Sequence, residues 1–323
     1  MQSTTTLDPT SPYLRDLLWL LEAPDLITSP FAGKPDLEFL GWNPDEISGW
    51  LSALENKRTH LETRLAVSGR LRLGVYHEAL WQLLLEEAPA IQLLGHHLPI
   101  RENKRTLGEL DFLYRHQPTH RIYHLEVAIK YYLGLPEGPG QSQDLCRWIG
   151  PAGLDSLAVK VAHTEQKQLP LSDQPLARQQ LEPLIQNGPA ASLETEIHKQ
   201  LALPGVLFYP WHAPMPAPQR ASKKHLRGWW LHFPDWPDFL ASFNEEVHGK
   251  LLGKPHWLAS PRQEELLEPT ELEKILQTHF KERGWPLQLA LFSPSRGWQR
   301  VFLVKAQWQS TTAFRLRWPK GCC

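Results

Sequence analysis

Asp111 and Glu126 are the two residues of this chain whose types and spacing best suit chemistry. They lie in two stretches, 108–115 and 121–133, in which apolar and polar residues alternate as they do in β-strands. A turn at 118–119 would pair these strands antiparallel and place Asp111 directly opposite Glu126. The Cβ atoms of such opposed residues lie ~4.5–5.5 Å apart, so two carboxylates there repel each other unless a cation lies between them.

A divalent metal ion is the cation that this pair is expected to bind. Mg²⁺ commonly binds to one or two carboxylates, several waters and a substrate phosphate. Such an ion lowers the pKa of a bound water and polarises a phosphoryl group, so the pair predicts hydrolysis of a phosphodiester bond. Lys130 lies on the same predicted face, two pleats beyond Glu126, where its ammonium would stabilise charge on the phosphate.

The alternation of the two strands predicts one apolar face and one polar face. The apolar face holds Leu110, Phe112, Tyr114, Tyr123, Leu125, Val127 and Ile129, and the other holds Glu109, Asp111, His124, Glu126, Ala128 and Lys130, with Leu113 as an apolar exception. The same pattern fits an ordinary hairpin with a solvated polar face, because half-exposed antiparallel sheets are common. The opposed carboxylates argue against that alternative, since like charges that face each other destabilise an ordinary surface.

The remaining sequence predicts a mixed α/β (α+β) fold in which these strands follow a buried helix. Helices are predicted over 11–66, with a loop at 29–36, then over 71–87 and 154–168, and helical sequence continues through Leu201; a weak strand covers 91–94 and 98–100, and a buried strand covers 205–209. The predicted order is therefore helix, three strands, helices and strand.

A proline-rich stretch at 211–219 predicts a boundary. We divide the chain into an N-terminal helical segment at 1–68, a core at 69–210 and a Trp-rich α+β region at 220–323. The longest apolar runs are far shorter than the ~20 residues that a membrane-spanning helix needs, so we expect no membrane partner.

The two strands also carry a family resemblance. The runs Thr106-Leu107-Gly108-Glu109-Leu110-Asp111-Phe112-Leu113 and His124-Leu125-Glu126-Val127-Ala128-Ile129-Lys130 resemble the PD-(D/E)XK nuclease superfamily. More narrowly, they resemble a bacterial family, the domain of unknown function 1853, as do Trp148-Ile149-Gly150-Pro151 with Asp155, Leu157 and Lys160. The likeness covers roughly 71–210 and implies an αβββαβ core with a mixed central sheet.

The resemblance implies a role for each of several residues. Asp111 and Glu126 would bind Mg²⁺ or Mn²⁺, Glu78 on the first core helix would complete the metal shell through water, and Lys130 would assist in activating the attacking water. Lys160 and Gln166 would contact phosphate. The chain departs from the superfamily motif, which spaces its acid and lysine as Glu-x-Lys, because Ala128 stands at the lysine position. That departure leaves open a fold with weakened or lost catalysis.

Nucleic acid is the expected partner, although the net charge of −1 gives no global attraction to it. Lys104 and Arg105 belong to a mildly basic stretch, which would steer a phosphate backbone or would simply form a solvated loop. A second basic cluster, Arg220, Lys223, Lys224 and Arg227, adjoins Trp229 and Trp230, and basic and aromatic residues together grip single strands.

Three other features limit the interpretation. Of His116, His120 and His124, only the last two share a strand face, and no cysteine joins them, so a zinc site is disfavoured. The three cysteines form no disulfide framework, and the N-terminal residues lack a secretory pattern, so we expect a cytoplasmic protein. The leading hypothesis is a metal-dependent phosphodiesterase; the alternatives are an inactive nucleic-acid-binding module on the same scaffold and a protein-interaction role of the Trp-rich region.

Overall fold

The computed structural model describes residues 9–65, 72–138, 140–186 and 196–308, and shows a mixed α/β protein with two mixed sheets. Its nine α-helices in these ranges are α1 Pro12–Glu22, α2 Leu37–Leu40, α3 Pro44–Asn56, α4 Arg58–Leu65, α5 Leu73–Glu87, α6 Leu157–His163, α7 Pro175–Gln186, α8 Trp236–Ala241 and α9 Pro269–Glu282. The strands are β1 Ile91–Glu102, β2 Arg105–His116, β3 Arg121–Val127, β4 Lys130–Gly134, β5 Trp148–Ile149, β6 Ile197–Ala202, β7 Gly205–Pro210, β8 Leu226–His232, β9 His248–Leu251, β10 Leu287–Ser293 and β11 Gly297–Val304.

The predicted N-terminal helices are confirmed, with one further division. The Asn43 side chain caps α3, and Glu46 bonds back to the Asn43 backbone, which is the reciprocal capping box that starts a helix. The second predicted helix ends at Asn56, and a short α4 follows it. The segment 66–71, which includes the predicted boundary near 68 and the start of the next predicted helix, lies outside the described residues.

The first sheet has the strand order β1-β2-β3-β6 and packs against α5 on one face. The pairs β1-β2 and β2-β3 are antiparallel, whereas β3 and β6 run parallel. The predicted order of helix, three strands, helices and strand is therefore present, running α5, β1, β2, β3, α6 with α7, then β6. A second core covers the opposite face and includes Leu113, Ile122, Leu171, Leu181 and Ile197.

The last strand of this sheet corrects two predictions. Helical sequence does not continue through Leu201, because Ile197–Ala202 is strand β6. The predicted strand at 205–209 exists as β7, but it belongs to the second sheet. Polar residues within β6 made the segment resemble a helix, and its parallel pairing with β3 overrides that local preference.

The strand predicted over 121–133 is wrong beyond Val127. The chain leaves the first sheet at Ala128 and Ile129, and Lys130–Gly134 pairs with β7 as strand β4 of the second sheet. The backbone N–H of Ala128 donates to the carbonyl of Ala202 at 2.9 Å, and that of Lys130 donates to the carbonyl of Pro204 at 3.2 Å. These bonds carry the strand from one sheet to the other without leaving its backbone groups unpaired.

Gly205 makes this crossing sterically feasible, and its replacement is our first prediction. A Cβ at position 205 would lie 1.8 Å from the carbonyl oxygen of Lys130, so a methyl group there must force β4 and β7 apart. We expect Gly205→Ala to lower the free energy of unfolding by about 3 kcal/mol, the upper end of the usual overpacking cost. Urea unfolding followed by tryptophan fluorescence would measure the change.

Gly49 provides the matched control, because a Cβ there meets nothing within 4 Å in the middle of α3. Gly49→Ala should raise the free energy of unfolding by about 0.5–1 kcal/mol, since alanine loses less backbone entropy in a helix. Equal stabilities of the two variants would contradict the steric argument.

The second sheet has the order β5-β4-β7-β8-β11-β10-β9 and takes strands from both sides of the predicted boundary at 211–219. Strands β7 and β8 are adjacent and parallel across that stretch. The division into a core at 69–210 and a region at 220–323 stays a prediction, and Trp318, Cys322 and Cys323 lie outside the described residues. Within the described ranges, no helix is both long and apolar enough to cross a membrane.

Candidate functional site

Asp111 and Glu126 lie where strands β2 and β3 stop pairing through their backbones. The predicted register is confirmed, because Phe112 pairs with Leu125 at the end of the ladder. One residue beyond that pair, the backbone N–H of Val127 donates to Oδ2 of Asp111 at 2.9 Å, and the N–H of Asp111 donates to Oε1 of Glu126 at 3.4 Å. Each carboxylate therefore binds the backbone of the opposite strand, which fixes the two side chains beside each other.

The part of this face that holds His124 and Glu126 is buried, Asp111 is half-buried and Glu109 is exposed, so a solvated hairpin face does not describe the surroundings of Glu126. Glu126 is 1% exposed, and His124 on the same face is 0% exposed. The covering element is a π-turn, Thr164–Gln168, followed by a 3₁₀ turn, Leu169–Asp173, both continuing from α6. A functional explanation for the pair is needed, because buried carboxylates without compensation are costly.

Burial is the main cause that raises the pKa of both carboxyl groups. The pKa of Asp111 rises to about 7, with the negative charge of Glu126 as the second cause. Burial likewise raises the pKa of Glu126 to about 7, against the opposing effect of the Lys160 ammonium. A divalent cation would replace the shared proton of such a pair, because it neutralises both carboxylates together.

His124 and Gln168 hold Glu126 in place. Nε2 of His124 lies 2.8 Å from Oε1 of Glu126, and its Nδ1 lies 3.1 Å from the hydroxyl of Ser172. Burial lowers the pKa of His124 to about 4, so the imidazole is neutral at pH 7. The hydroxyl of Ser172 donates to the carbonyl of Leu169, and the amide of Gln168 donates to Oε2 of Glu126.

Lys160 brings a positive charge to the pair from the opposite side. It lies on α6, whose first turn is capped by the Ser156 side chain, and its Nζ donates to Oε1 of Gln168 at 3.0 Å. Gln168 thereby links the ammonium to Glu126. Burial lowers the pKa of Lys160, and the charges of Glu126 and Asp111 oppose that shift. The lysine predicted as a phosphate contact thus lies next to both carboxylates.

Lys130 does not occupy its predicted position two pleats beyond Glu126 on the same strand. Because the chain changes sheets at Ala128, Lys130 pairs with Gly205 in the second sheet. Its Nζ lies 2.5 Å from Oδ2 of Asp155, with both side chains about one-third exposed. The charge of Lys130 contributes, after burial, to lowering the pKa of Lys160.

Glu78 lies on α5 and does not join a tight cluster with Asp111 and Glu126. Burial raises its pKa, and the charge of Asp111 raises it further. His97 lies 3.7 Å from Oε2 of Glu78 and 3.1 Å from Oε1 of Glu109, so it links two carboxylates at the rim. Glu109 is held at His97 and does not face Ala128, since the ladder with β3 has ended.

The donor set fits a hard divalent cation. Two carboxylates with room for waters are what Mg²⁺ or Mn²⁺ commonly uses, and Oδ1 of Asp111 has no hydrogen-bond partner among the described residues. Within the same residues, the groups of three side chains with ligand atoms mutually within 4.8 Å are His212, His232 and Asp235, and Glu246, His248 and Glu268. Neither contains Asp111, so Glu78 suits a water-mediated contact better than direct binding.

The other predicted contact residues lie apart from the pair. Lys104 and Arg105 are exposed at the turn between β1 and β2, and Arg105 is six residues from Asp111, about 20 Å along an extended strand. Gln166 is exposed in the π-turn, whereas its neighbour Gln168 makes the contact with the site.

The disfavoured zinc cluster is not assembled. His116 bonds to the hydroxyl of Thr119 at 2.8 Å, His120 is exposed, and His124 bonds to Glu126. These three imidazoles belong to neither of the groups of three ligand side chains found within the described part of the chain.

The second basic cluster is partly engaged in internal contacts. Arg220 pairs with Glu165 in the π-turn, and the guanidinium of Arg227 lies 3.7 Å from the centre of the Tyr209 ring. Trp229 is 38% exposed, whereas Trp230 is fully buried. Lys223, Lys224, Arg227 and Trp229 remain exposed.

Sequence reasoning missed the contacts of Gln168 and the supporting role of His124. His124 carried a usable signal, because it shares a strand face with Glu126 two residues away. Gln168 carried none, since its position depends on the π-turn that extends α6.

A family model described as "Domain of unknown function (DUF1853)" matches residues 15–304 of the chain. Comparison with curated proteins and with solved structures gave no match.

Proposed function

This chain belongs to the DUF1853 family, and from the geometry of Asp111 and Glu126 we propose that it is a metal-dependent phosphodiesterase acting on nucleic acid. The observation that carries the proposal is the buried carboxylate pair, in which each side chain binds the backbone of the opposite strand. Such a pair is costly to maintain in a fold unless it binds a cation. Its position beside a lysine ammonium is what phosphoryl chemistry requires.

Asp111 and Glu126 would hold Mg²⁺ or Mn²⁺, which supplies an acidified water and polarises the phosphoryl oxygens. The chain's own residues do the positioning. The neutral imidazole of His124 and the amide of Gln168 fix both oxygens of Glu126, so that little reorganisation is needed when charge develops. Glu78 would orient a water at the rim of the site.

We assign to Lys160 the role of contacting the attacking water or the phosphate. Its ammonium is partly desolvated and linked through Gln168 to Glu126, which leaves two of its three hydrogens for other acceptors. A donor at this point would orient a water for attack or stabilise the negative charge of the transition state. Lys160 would thus take the part that the motif resemblance gave to Lys130.

The arrangement of the first sheet supports placing this core in the PD-(D/E)XK superfamily. An αβββαβ order is present from α5 to β6, with β6 parallel to β3. The two acids lie on the second and third strands of that core, where the resemblance expects them. In this interpretation Ala128 stands at the lysine position of the motif, and Lys160 on the following helix supplies the ammonium group instead.

Nucleic acid is the proposed substrate because the reaction type and the exposed basic residues suit it. Lys104 and Arg105 at the tip of the first hairpin would contact a backbone several phosphates away from the cleaved bond. The chain carries a net charge of −1, so we expect weak binding that salt reduces steeply.

The second candidate function is a nucleic-acid-binding module without catalysis. The observation that favours it is that Lys130 forms an ion pair with Asp155. Lys130 also lies on β4, so β3, the strand that carries Glu126, has no lysine of the motif. This candidate predicts salt-sensitive binding without cleavage by the wild type.

The direct test is a cleavage assay on labelled single-stranded and double-stranded DNA and RNA, with Mg²⁺ or Mn²⁺ and with EDTA. We expect cleavage that requires the metal and is absent from Asp111→Asn. Equal background rates for the wild type and this variant on every substrate would refute catalysis. Binding in that case would support the second candidate.

A pair of lysine variants tests which ammonium serves the reaction. Lys160→Ala should reduce the cleavage rate by about 10²-fold, the usual effect of losing one donor to a developing charge. Lys130→Ala should change it less than about threefold, because an exposed ion pair contributes little. Rates under single-turnover conditions would measure both, and the reverse ranking would return the role to Lys130.

A further inference from the structure

A cavity of about 480 Å³ opens between the N-terminal helices and the segment 250–261, on residues other than those of the carboxylate site. Its volume falls within the ~300–1,000 Å³ of typical small-molecule sites. Basic side chains from separate parts of the chain meet on its walls: Arg15, Arg58, Lys250, Lys254 and His256. We propose that this cavity binds a small molecule bearing a phosphate group, about the size of a mononucleotide.

His256 is held at the wall by a fully buried carboxylate. Oδ2 of Asp16 lies 2.7 Å from Nδ1 of His256 and accepts from the hydroxyl of Tyr76 at 2.9 Å, while Oδ1 accepts from the N–H of Ala259 at 2.9 Å. The ring also packs edge-on against Tyr13, with centroids 4.7 Å apart. Since Nδ1 is engaged, Nε2 is the ring nitrogen available to a ligand, in an orientation that needs no adjustment.

Lys254 supplies a positive charge that no carboxylate of the described residues neutralises. Its Nζ lies 4.5 Å from the centre of the Trp257 ring, and its side chain is exposed to solvent at the cavity. A negatively charged ligand would supply the counter-charge that the described residues do not give this ammonium.

The remaining charges of the cavity are largely balanced within it. Glu265 pairs with Arg15 at 2.9 Å and with Lys250 at 2.6 Å. Arg58 gives its Nε to Glu62 at 2.6 Å, outside the cavity lining. Four Lys and Arg side chains of the walls face three carboxylates, those of Asp16 and Glu265 in the lining and Glu62 beside Arg58, so a surplus of one positive charge remains.

This surplus favours a phosphate monoester, which carries up to two negative charges and several acceptor oxygens. The hydroxyl of Ser260 adds a donor, and Gly253 leaves the wall open, since a Cβ there would meet nothing within 4 Å. Pro12, Leu251 and Pro261 provide the apolar surface for the rest of the ligand.

Isothermal titration calorimetry of the full chain with adenosine 5′-monophosphate, in EDTA, tests the proposal. We expect saturable binding with a Kd in the millimolar range or below. Lys254→Ala and His256→Gln should each raise the Kd by about 10-fold, because each removes a charge-assisted contact. Lys281→Ala, which removes an exposed lysine of α9, should leave it unchanged.

Asp111→Asn should also leave the Kd unchanged, so failure here is separate from failure of the nuclease proposal. Absence of saturable binding, equal affinity for adenosine without phosphate, or equal affinity for citrate would overturn the assignment. If circular dichroism shows that His256→Gln fails to fold, Lys254→Ala decides the matter, since the exposed side chain of Lys254 is not part of the core.

Discussion

Asp111→Asn and Glu126→Gln should each abolish metal binding and reduce phosphodiester cleavage by more than about 10²-fold. Both changes keep the shape of the side chain and its acceptor oxygen, so Val127 and His124 retain their partners. What is lost is one of the two negative charges that attract the cation. Calorimetric titration with Mn²⁺ would measure binding, and the cleavage assay would measure the rate.

Glu87→Gln is the matched control, because Glu87 is an exposed acid at the end of the same helix that carries Glu78. It should leave both metal binding and cleavage unchanged. If Asp111→Asn binds metal as tightly as the wild type, Asp111 is not a metal ligand. If the variant loses metal affinity but cleaves at the wild-type rate, cleavage does not need the metal.

The carboxylate pair was predictable because local periodicity determines an antiparallel hairpin. Alternation placed Asp111 and Glu126 on one face and the aromatic residues on the other, and a register slip by one residue would have mixed the two sets. The capped start of α3 was predictable for a similar reason, since Asn43 and Glu46 stand at the spacing of a capping box.

The position of Lys130 was not predictable from the same pattern. Alternation continues through Ala128 into β4, so nothing local marks the change from the first sheet to the second. The change depends on Gly205, 75 positions after Lys130, whose missing side chain lets β7 approach the Lys130 carbonyl. Strand β6 was missed for a related reason, because only its partner β3 makes Ile197–Ala202 a strand.

The buried pair should also make the stability of the metal-free protein fall as pH rises. Asp111 keeps its proton in the folded state up to about pH 7, whereas the unfolded chain loses it near pH 3.8. Between these values the folded state binds more protons than the unfolded state, so the free energy of unfolding decreases with increasing pH. Each pKa unit corresponds to about 1.4 kcal/mol, which gives a loss of roughly 4 kcal/mol by pH 8.

Asp111→Asn should remove the part of this dependence that Asp111 causes, because asparagine carries no titratable proton, whereas the raised pKa of Glu126 leaves the rest. In EDTA we expect the variant to match the wild type near pH 4 and to exceed it in stability by up to about 4 kcal/mol at pH 8. Urea unfolding at a series of pH values would measure the difference. Parallel pH profiles for the two proteins would contradict a buried pair with raised pKa values.

A divalent cation should reduce the stability advantage of Asp111→Asn over the wild type at pH 8. Metal that binds the folded wild type stabilises it by mass action, by about 2.7 kcal/mol at a concentration 100 times the Kd. Asp111→Asn should gain nothing from the same addition. Without metal, the carboxylate pair lowers the stability of the folded protein at pH 8. A group retained only for structure would instead stabilise the fold without a ligand, so this cost is typical of a binding site. Equal stabilisation of both proteins by Mn²⁺ would place the cation elsewhere.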